Sequence, residues 1–136
     1  MPTFSLRSMR RLDTCHPDLV ILMCEVVRDI DITVLEGHRG ETRQNQMVAE
    51  GKSQLPWPRS RHNASPSLAV DVAPYIAGQG ASWDWSDYYP LAEHVKATWA
   101  YLSQEGRLSG EYDLSWGGDW RSFKDGPHWQ LDRRGD

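Results

Sequence analysis

No segment of this 136-residue chain comes near the ~20 consecutive apolar residues of a membrane-spanning helix. Its start, MPTFSLRSMRRLD, also lacks the apolar run of about 7–15 residues that marks a secretory signal peptide. Membrane insertion is therefore not expected, and the protein should stay in the cytosol where it is made unless something else releases it. Cysteine is scarce. Cys15 and Cys24 cannot build a disulfide framework, and Cys24 lies in the apolar run VILMC, where a free thiol behaves as a small core residue. Cys15, His16 and Cys24 lack a fourth ligand and the Cys-x-x-Cys spacing of a structural zinc site. There is no block of five or six basic residues, and the formal net charge is −4, so global charge gives no reason to expect nucleic acid as a partner. Repeats, linkers and low-complexity stretches are absent too. One domain spanning residues 1–136, acting as a monomer, is the expectation.

What is present alternates helical and extended signals. His16-Pro17-Asp18 opens a helix, since proline suits the first helical position and an acid the first turn. Leu19, Leu22, Met23, Val26, Val27 and Ile30 then recur at helical spacing, widened by Val20, Ile21 and Cys24 into a broad core-facing stripe. Ile32–Gly37 (ITVLEG) reads as a short strand, and Glu41–Glu50 as a polar helix stopped by Gly51. Residues 52–66 form an irregular loop. A strand over Leu68–Ala73 should end at Pro74. A Gly- and Trp-containing loop over 77–86 precedes a helix over Tyr88–Gln104, and YDLSW and HWQL read as two terminal strands. Short strands with segregated helices predict an α+β domain: a small antiparallel sheet flanked by helices.

One residue conflicts with its surroundings. Asp71 sits inside the strand Leu68–Ala73, where Val70 and Val72 point one way while Ala69, Asp71 and Ala73 point the other. An unpaired buried carboxylate costs several kcal/mol, so a cation should sit against it. An arginine or a metal ion would each serve. His62 lies upstream, and KDGPHWQL downstream supplies His128 with Asp125 three residues before it. Two histidines and an aspartate, with a further carboxylate close by, are the inventory of a catalytic zinc site, whose fourth position is left to water.

The stretch SRHNASPSLAVDVAPY (Ser60–Tyr75) resembles the Ser-x-His…Ala-x-Asp-x-x-Pro signature of the zinc D,D-carboxypeptidase and L-alanyl-D-glutamate peptidase family. That family comprises VanX- and VanY-like enzymes and many phage endolysins. Asp125-Gly126-Pro127-His128 resembles its late Asp/Glu-x-x-His motif, and EGHRGETRQNQ its Gly-x-Arg…Gln stretch. The resemblance implies a hedgehog/D,D-peptidase-like fold with zinc held by His62, Asp71 and His128. It implies Asp125 as general base and Arg39 near the substrate. The expected activity is cleavage of the stem peptide of bacterial peptidoglycan by an endolysin-type L-alanyl-D-glutamate endopeptidase, held in the host cytoplasm before release to the wall. A D-alanyl-D-alanine carboxypeptidase or dipeptidase is the alternative enzyme, and a non-catalytic zinc-containing binding module the alternative class. Against many members, this chain inserts Ser65-Pro66-Ser67 between His62 and Asp71, which a loop can absorb.

Other residues divide between roles. Ser60 either hydrogen-bonds substrate or simply belongs to the loop. Trp85 and Trp129 are candidates for the wall of a substrate cleft, since aromatic faces suit wall peptides and sugars. His16, His38 and His94 are left off the metal, and Asp119 in WGGDW reads as a turn residue after two glycines.

Overall fold

The computed structural model describes residues 2–135. The His16-Pro17-Asp18 signal is used as read. The His16 ring accepts a hydrogen bond through Nδ1 from the Asp18 N–H at 3.0 Å, and helix α2 runs Pro17–Val26 behind it. A helix that the sequence reading did not anticipate, α1 (Leu6–Leu12), is capped by Ser5 and precedes it. Then come β1 (Ile32–Glu36), α3 (Glu41–Ala49), β2 (Ala69–Ile76), β3 (Gly80–Ala81), α4 (Trp85–Gln104), β4 (Tyr112–Trp116) and β5 (His128–Arg133). The strands form one antiparallel sheet in the order β1-β2-β5-β4, with β3 paired to the end of β2. The α+β expectation holds.

Alternation along the strands divides the sheet into two faces. Val70 and Val72 of β2 and Trp129 and Leu131 of β5 turn toward Leu19, Leu22, Met23 and Val26 of α2 and Leu91, Val95 and Leu102 of α4. Each such side chain, fully buried, contributes roughly 1.5–3 kcal/mol. This core leaves the opposite face of β2 and β5 free for chemistry.

Two boundaries differ from the sequence reading. Strand β2 passes through Pro74 to Ile76 instead of ending there. The missing Pro74 N–H faces the side where β5 has already ended. Ser82 donates its N–H to the Pro74 carbonyl at 2.8 Å, but the return bond is impossible. The Tyr88 hydroxyl donates to the Ser82 carbonyl instead, also at 2.8 Å. Helix α4 starts at Trp85, earlier than Tyr88, because Asp84 supplies the cap by accepting from the Ser86 N–H at 3.0 Å.

Gly37, after β1, lets the turn toward α3 lie against the end of α1. A Cβ there would collide with the Arg11 carbonyl and the Thr14 hydroxyl and sit 2.9 Å from Cys15 Sγ. Gly37→Ala should therefore lower stability by about 1–3 kcal/mol, seen as a lower melting temperature. Gly40→Ser should leave it level or raise it: nothing lies within 4 Å of the added carbon, and Gly40 is the uncapped N-cap of α3. Equal losses in the two variants would show that the contact at Gly37 is not what constrains the turn.

Candidate metal centre

Asp71 and His128 are direct partners across the β2–β5 ladder, so their side chains leave the same face of the sheet. On the other side of β2, a register shift between Val34 and Glu36 brings Glu36 opposite Asp71. Such a bulge re-aims a side chain at the cost of one unpaired residue. Glu36, Asp71 and His128 thereby form a row across three strands. His62 arrives from the long loop, on a short 3-10 turn over Arg61–Asn63. Ser60 closes that turn: its Oγ accepts from the His62 N–H at 3.2 Å while Asn63 Oδ1 accepts from the Ser60 N–H at 3.1 Å.

The result is a carboxylate oxygen flanked by two imidazoles. Asp71 Oδ1 lies 3.2 Å from His62 Nε2 and 3.3 Å from His128 Nδ1. Those separations match the edge of about 3.3 Å expected for a tetrahedron with bonds of about 2.0–2.1 Å. The outer ring nitrogens fix the tautomers. His62 Nδ1 donates to the Gly37 carbonyl at 2.7 Å, and His128 Nε2 donates to Gln130 Oε1 at 2.9 Å. Gln130 is oriented for this because its Nε2 donates to Asp132 Oδ1 at 2.9 Å. Ser115 Oγ donates to the other Asp132 oxygen. Rings held this way present their inner nitrogens to Asp71: protonated they donate to its oxygen, and deprotonated they would turn two lone pairs toward a shared cation. Among the described residues, His62, Asp71 and His128 are the one group of this kind whose ligand atoms converge, all within 4.8 Å. They could hold a metal ion, and the donor set fits one.

The second Asp71 oxygen has its own partner. Arg39 NH2 lies 3.5 Å from Asp71 Oδ2 and 2.7 Å from Glu36 Oε1, while NH1 donates to Gln44 Oε1 at 3.0 Å. Of the two cations that the sequence left as alternatives for Asp71, the arginine stands at Oδ2, while the donor set around Oδ1 could hold the other. Burial opposes ionisation of Asp71, but the charge of His62 and hydrogen bonds from both histidines hold its carboxyl well below the usual range. His128 is also desolvated, yet its contacts with Asp71 raise it. Asp125 moves the other way: burial and then the charge of Asp71 push it up to about 6.

Gly117 builds the turn that carries Asp125. Its carbonyl accepts the Asp125 N–H at 3.1 Å, and a Cβ on Gly117 would strike the Asp125 carbonyl and sit 3.0 Å from His128 Cβ. Beneath this turn Trp116 Nε1 donates to the Gly126 carbonyl at 2.7 Å. A cleft of about 290 Å³ lined by Arg39, Ser60, His62, Asp71, Asp125 and His128 adjoins an arm of about 520 Å³ that includes Trp85.

Trp129 is a correction. It is 1% exposed and stacked on Trp116 at 5.8 Å, in the core and not on the cleft. One residue after His128 on a strand, it must face the opposite way. His16 serves as a helix cap, His38 is exposed, and Asp119 pairs with Lys96 at the surface. The Cys15 thiol, pushed up to about 12 by burial, is a core group. Sequence reasoning missed Glu36, Gln44, Gly117, Gln130 and Asp132. The Gly-Gly pair at 117–118 and the glutamines of EGHRGETRQNQ were the local signals for two of them. The inserted Ser67 also has a structural use: it bonds to both Thr14 and His16 backbone groups, tying the loop to the start of α2.

The family model for phage L-alanyl-D-glutamate peptidases matches residues 2–132. Peptidoglycan L-alanyl-D-glutamate endopeptidase CwlK of Bacillus subtilis (strain 168) is 28% identical over 111 residues, or 76% of this chain. The match spans 62% of that relative's length. The crystal structure of the Serratia marcescens L-Ala D-Glu endopeptidase ChiX superposes with a TM-score of 0.75 at 36% identity. It covers 96% of this chain and 90% of the Serratia chain.

The raised Asp125 carboxyl has a consequence that metal-free protein should display. Its ionised form is disfavoured by folding, so the penalty is absent below about pH 4 and complete above about pH 6, on the order of 2 kcal/mol. In metal-free protein Asp125→Asn should melt several degrees above the parent at pH 8 and converge with it at pH 4. A difference independent of pH would mean that Asp125 is not held in this environment.

Proposed function

The chain belongs to the phage L-alanyl-D-glutamate peptidase family, and from that premise we propose that it is a zinc endopeptidase cutting the L-Ala–D-Glu bond of the peptidoglycan stem peptide. Its setting is that of an endolysin acting on the wall. The observation that carries this reading is the Asp71 oxygen between two tautomer-locked imidazoles, beside a carboxyl raised to about 6. Two imidazole nitrogens and one carboxylate oxygen make a donor set suited to zinc with an open position.

When bound, zinc would supply Lewis acidity, acidifying water and polarising the scissile carbonyl. The remaining work falls to the chain. Asp125 accepts a proton from the attacking water and delivers it to the departing D-Glu nitrogen as the C–O bond forms and the C–N bond breaks. Burial, the first cause of the upward shift at Asp125, suits a group that must both take and return a proton. Arg39 is 4% exposed, and its Nε has no hydrogen-bond partner among the described residues. Arg39 lines the cleft, and its charge there suits negative charge developing on the carbonyl oxygen, or a substrate carboxylate. Ser60 acts mainly as the cap that holds His62, and Trp85 offers its ring to the substrate.

Purified protein should carry about one equivalent of zinc, and chelation should abolish clearing of outer-membrane-stripped cells. Mass spectrometry of the released peptides should show new D-Glu amino termini. Release of D-Ala alone would assign a D,D-carboxypeptidase instead. His62→Ala should lose zinc and melt lower, because Asp71 would then lack a neutralising partner on one side. If that variant kept its zinc and its melting temperature, His62 would not be a ligand. Asp125→Asn should keep zinc and fold but lose roughly 10²–10⁴-fold in turnover. Near-normal turnover in a zinc-loaded Asp125→Asn protein would remove Asp125 from the mechanism.

A further inference from the structure

The cleft has two arms that meet at the ligands. Asp71 and Asp125 line both, as do Met47 and Lys52. The smaller arm, about 290 Å³, continues past Arg39 and Arg61. The larger, about 520 Å³, is walled by Trp83, Trp85 and Tyr88. Its aromatic wall is left open to solvent: Trp83 is 67% exposed and Trp85 39%. Tyr89, 55% exposed, extends that wall, its ring 5.9 Å from that of Trp85. The segment carrying these rings is held firmly. Ser82 Oγ donates to Asp87 Oδ2 at 2.6 Å and accepts from the Asp84 N–H at 3.2 Å.

The chemistry of the substrate separates the arms. On the acyl side of an L-Ala–D-Glu bond there is one small residue before the lactyl ether of N-acetylmuramic acid, so a ligand extending that way becomes a sugar almost at once. On the leaving side D-Glu bears a free α-carboxylate, which Arg39 and Arg61 of the smaller arm or Arg43 and Lys124 of the larger could meet. The size of the sugar and the open indole wall, not charge, therefore assign the arms. Flat, half-exposed indoles with polar neighbours suit the apolar C–H face of a pyranose, and the larger volume suits the larger group. We propose that Trp83 and Trp85 form a glycan subsite that takes the N-acetylmuramoyl residue of uncut peptidoglycan, making the protein selective for sugar-bearing stem peptides. This rests on the L-Ala–D-Glu reading above.

The test compares a disaccharide-tetrapeptide with the same tetrapeptide lacking sugar. The ratio of kcat/KM for the two should fall about tenfold in Trp83→Ala, carried by KM, and recover in Trp83→Phe. Binding gives a readout without turnover: in Asp125→Asn protein, the disaccharide-tetrapeptide should quench tryptophan emission, and the added Trp83→Ala change should weaken its affinity by the same factor. An unchanged ratio with unchanged binding overturns the subsite while leaving the peptidase reading intact. Equal losses on both substrates also overturn it, since Trp83 would then serve the peptide. If the parent protein cuts neither substrate yet binds the sugar-bearing one through Trp83, the subsite stands and the peptidase reading falls. If it neither cuts nor binds, both fall.

Discussion

A carboxylate on the face of the sheet opposite the core governs this molecule. The Asp71 side chain is only 15% exposed, and ionised it needs positive charge on both oxygens. Arg39 meets Oδ2, and the two imidazole nitrogens beside Oδ1 either donate to it or could share a cation with it. Much of the surrounding architecture can be traced to that requirement. The bulge in β1 brings Glu36 opposite Asp71, and Glu36 in turn holds Arg39. Gly37 approaches α1 closely enough for its carbonyl to receive His62 Nδ1. The Arg39 N–H donates to the His62 carbonyl at 2.8 Å, tying the arginine's loop to the histidine's.

The elements divide the work by rigidity. Asp71 and His128 sit on adjacent central strands, where ladder bonds fix their spacing. His62 comes from an irregular segment, so its position has to be secured by other means. The Ser60–Asn63 capping box does part of this, and Asn63 Nδ2 also donates to the Arg39 carbonyl at 2.9 Å. Gln44, fully buried, completes the scaffold by accepting from Arg39 and donating to Ser53 and the Leu55 carbonyl. A polar helix with Gln44 as its buried residue thereby anchors both the arginine and the loop.

Much of this was legible in the sequence, and the parts that were not share a cause. Asp71 stood out as a carboxylate in the middle of an apolar strand, and His62, Asp125 and His128 followed from local motifs. Helix α2 announced itself through its cap and stripe. Hidden were the features that depend on which strand lies beside which. Nothing local in ITVLE signals a bulge, and nothing in HWQLD shows that Gln130 and Asp132 steer the His128 ring. Trp129 was misjudged for a related reason: nearness to His128 in the chain means the opposite face on a strand. Pro74 would end most strands, but here its silent side falls where β5 has finished and Tyr88 replaces the missing bond.

Asp71 and Asp125 also illustrate how one small site gives two carboxyls opposite tasks. The first is driven toward permanent ionisation by the groups touching it, while the second is driven toward protonation, by burial first and by the negative charge of the first after that. A dication seated on Asp71 would remove most of that repulsion and draw the Asp125 carboxyl down. Burial is then what keeps it from falling to an ordinary carboxylate value, too weak a base to take a proton from water and return it. The Gly117 contact supplies that burial by letting the Asp125 turn settle against the sheet without a side chain between them. A glycine with no chemistry of its own thereby leaves room for the turn that places the group that has it.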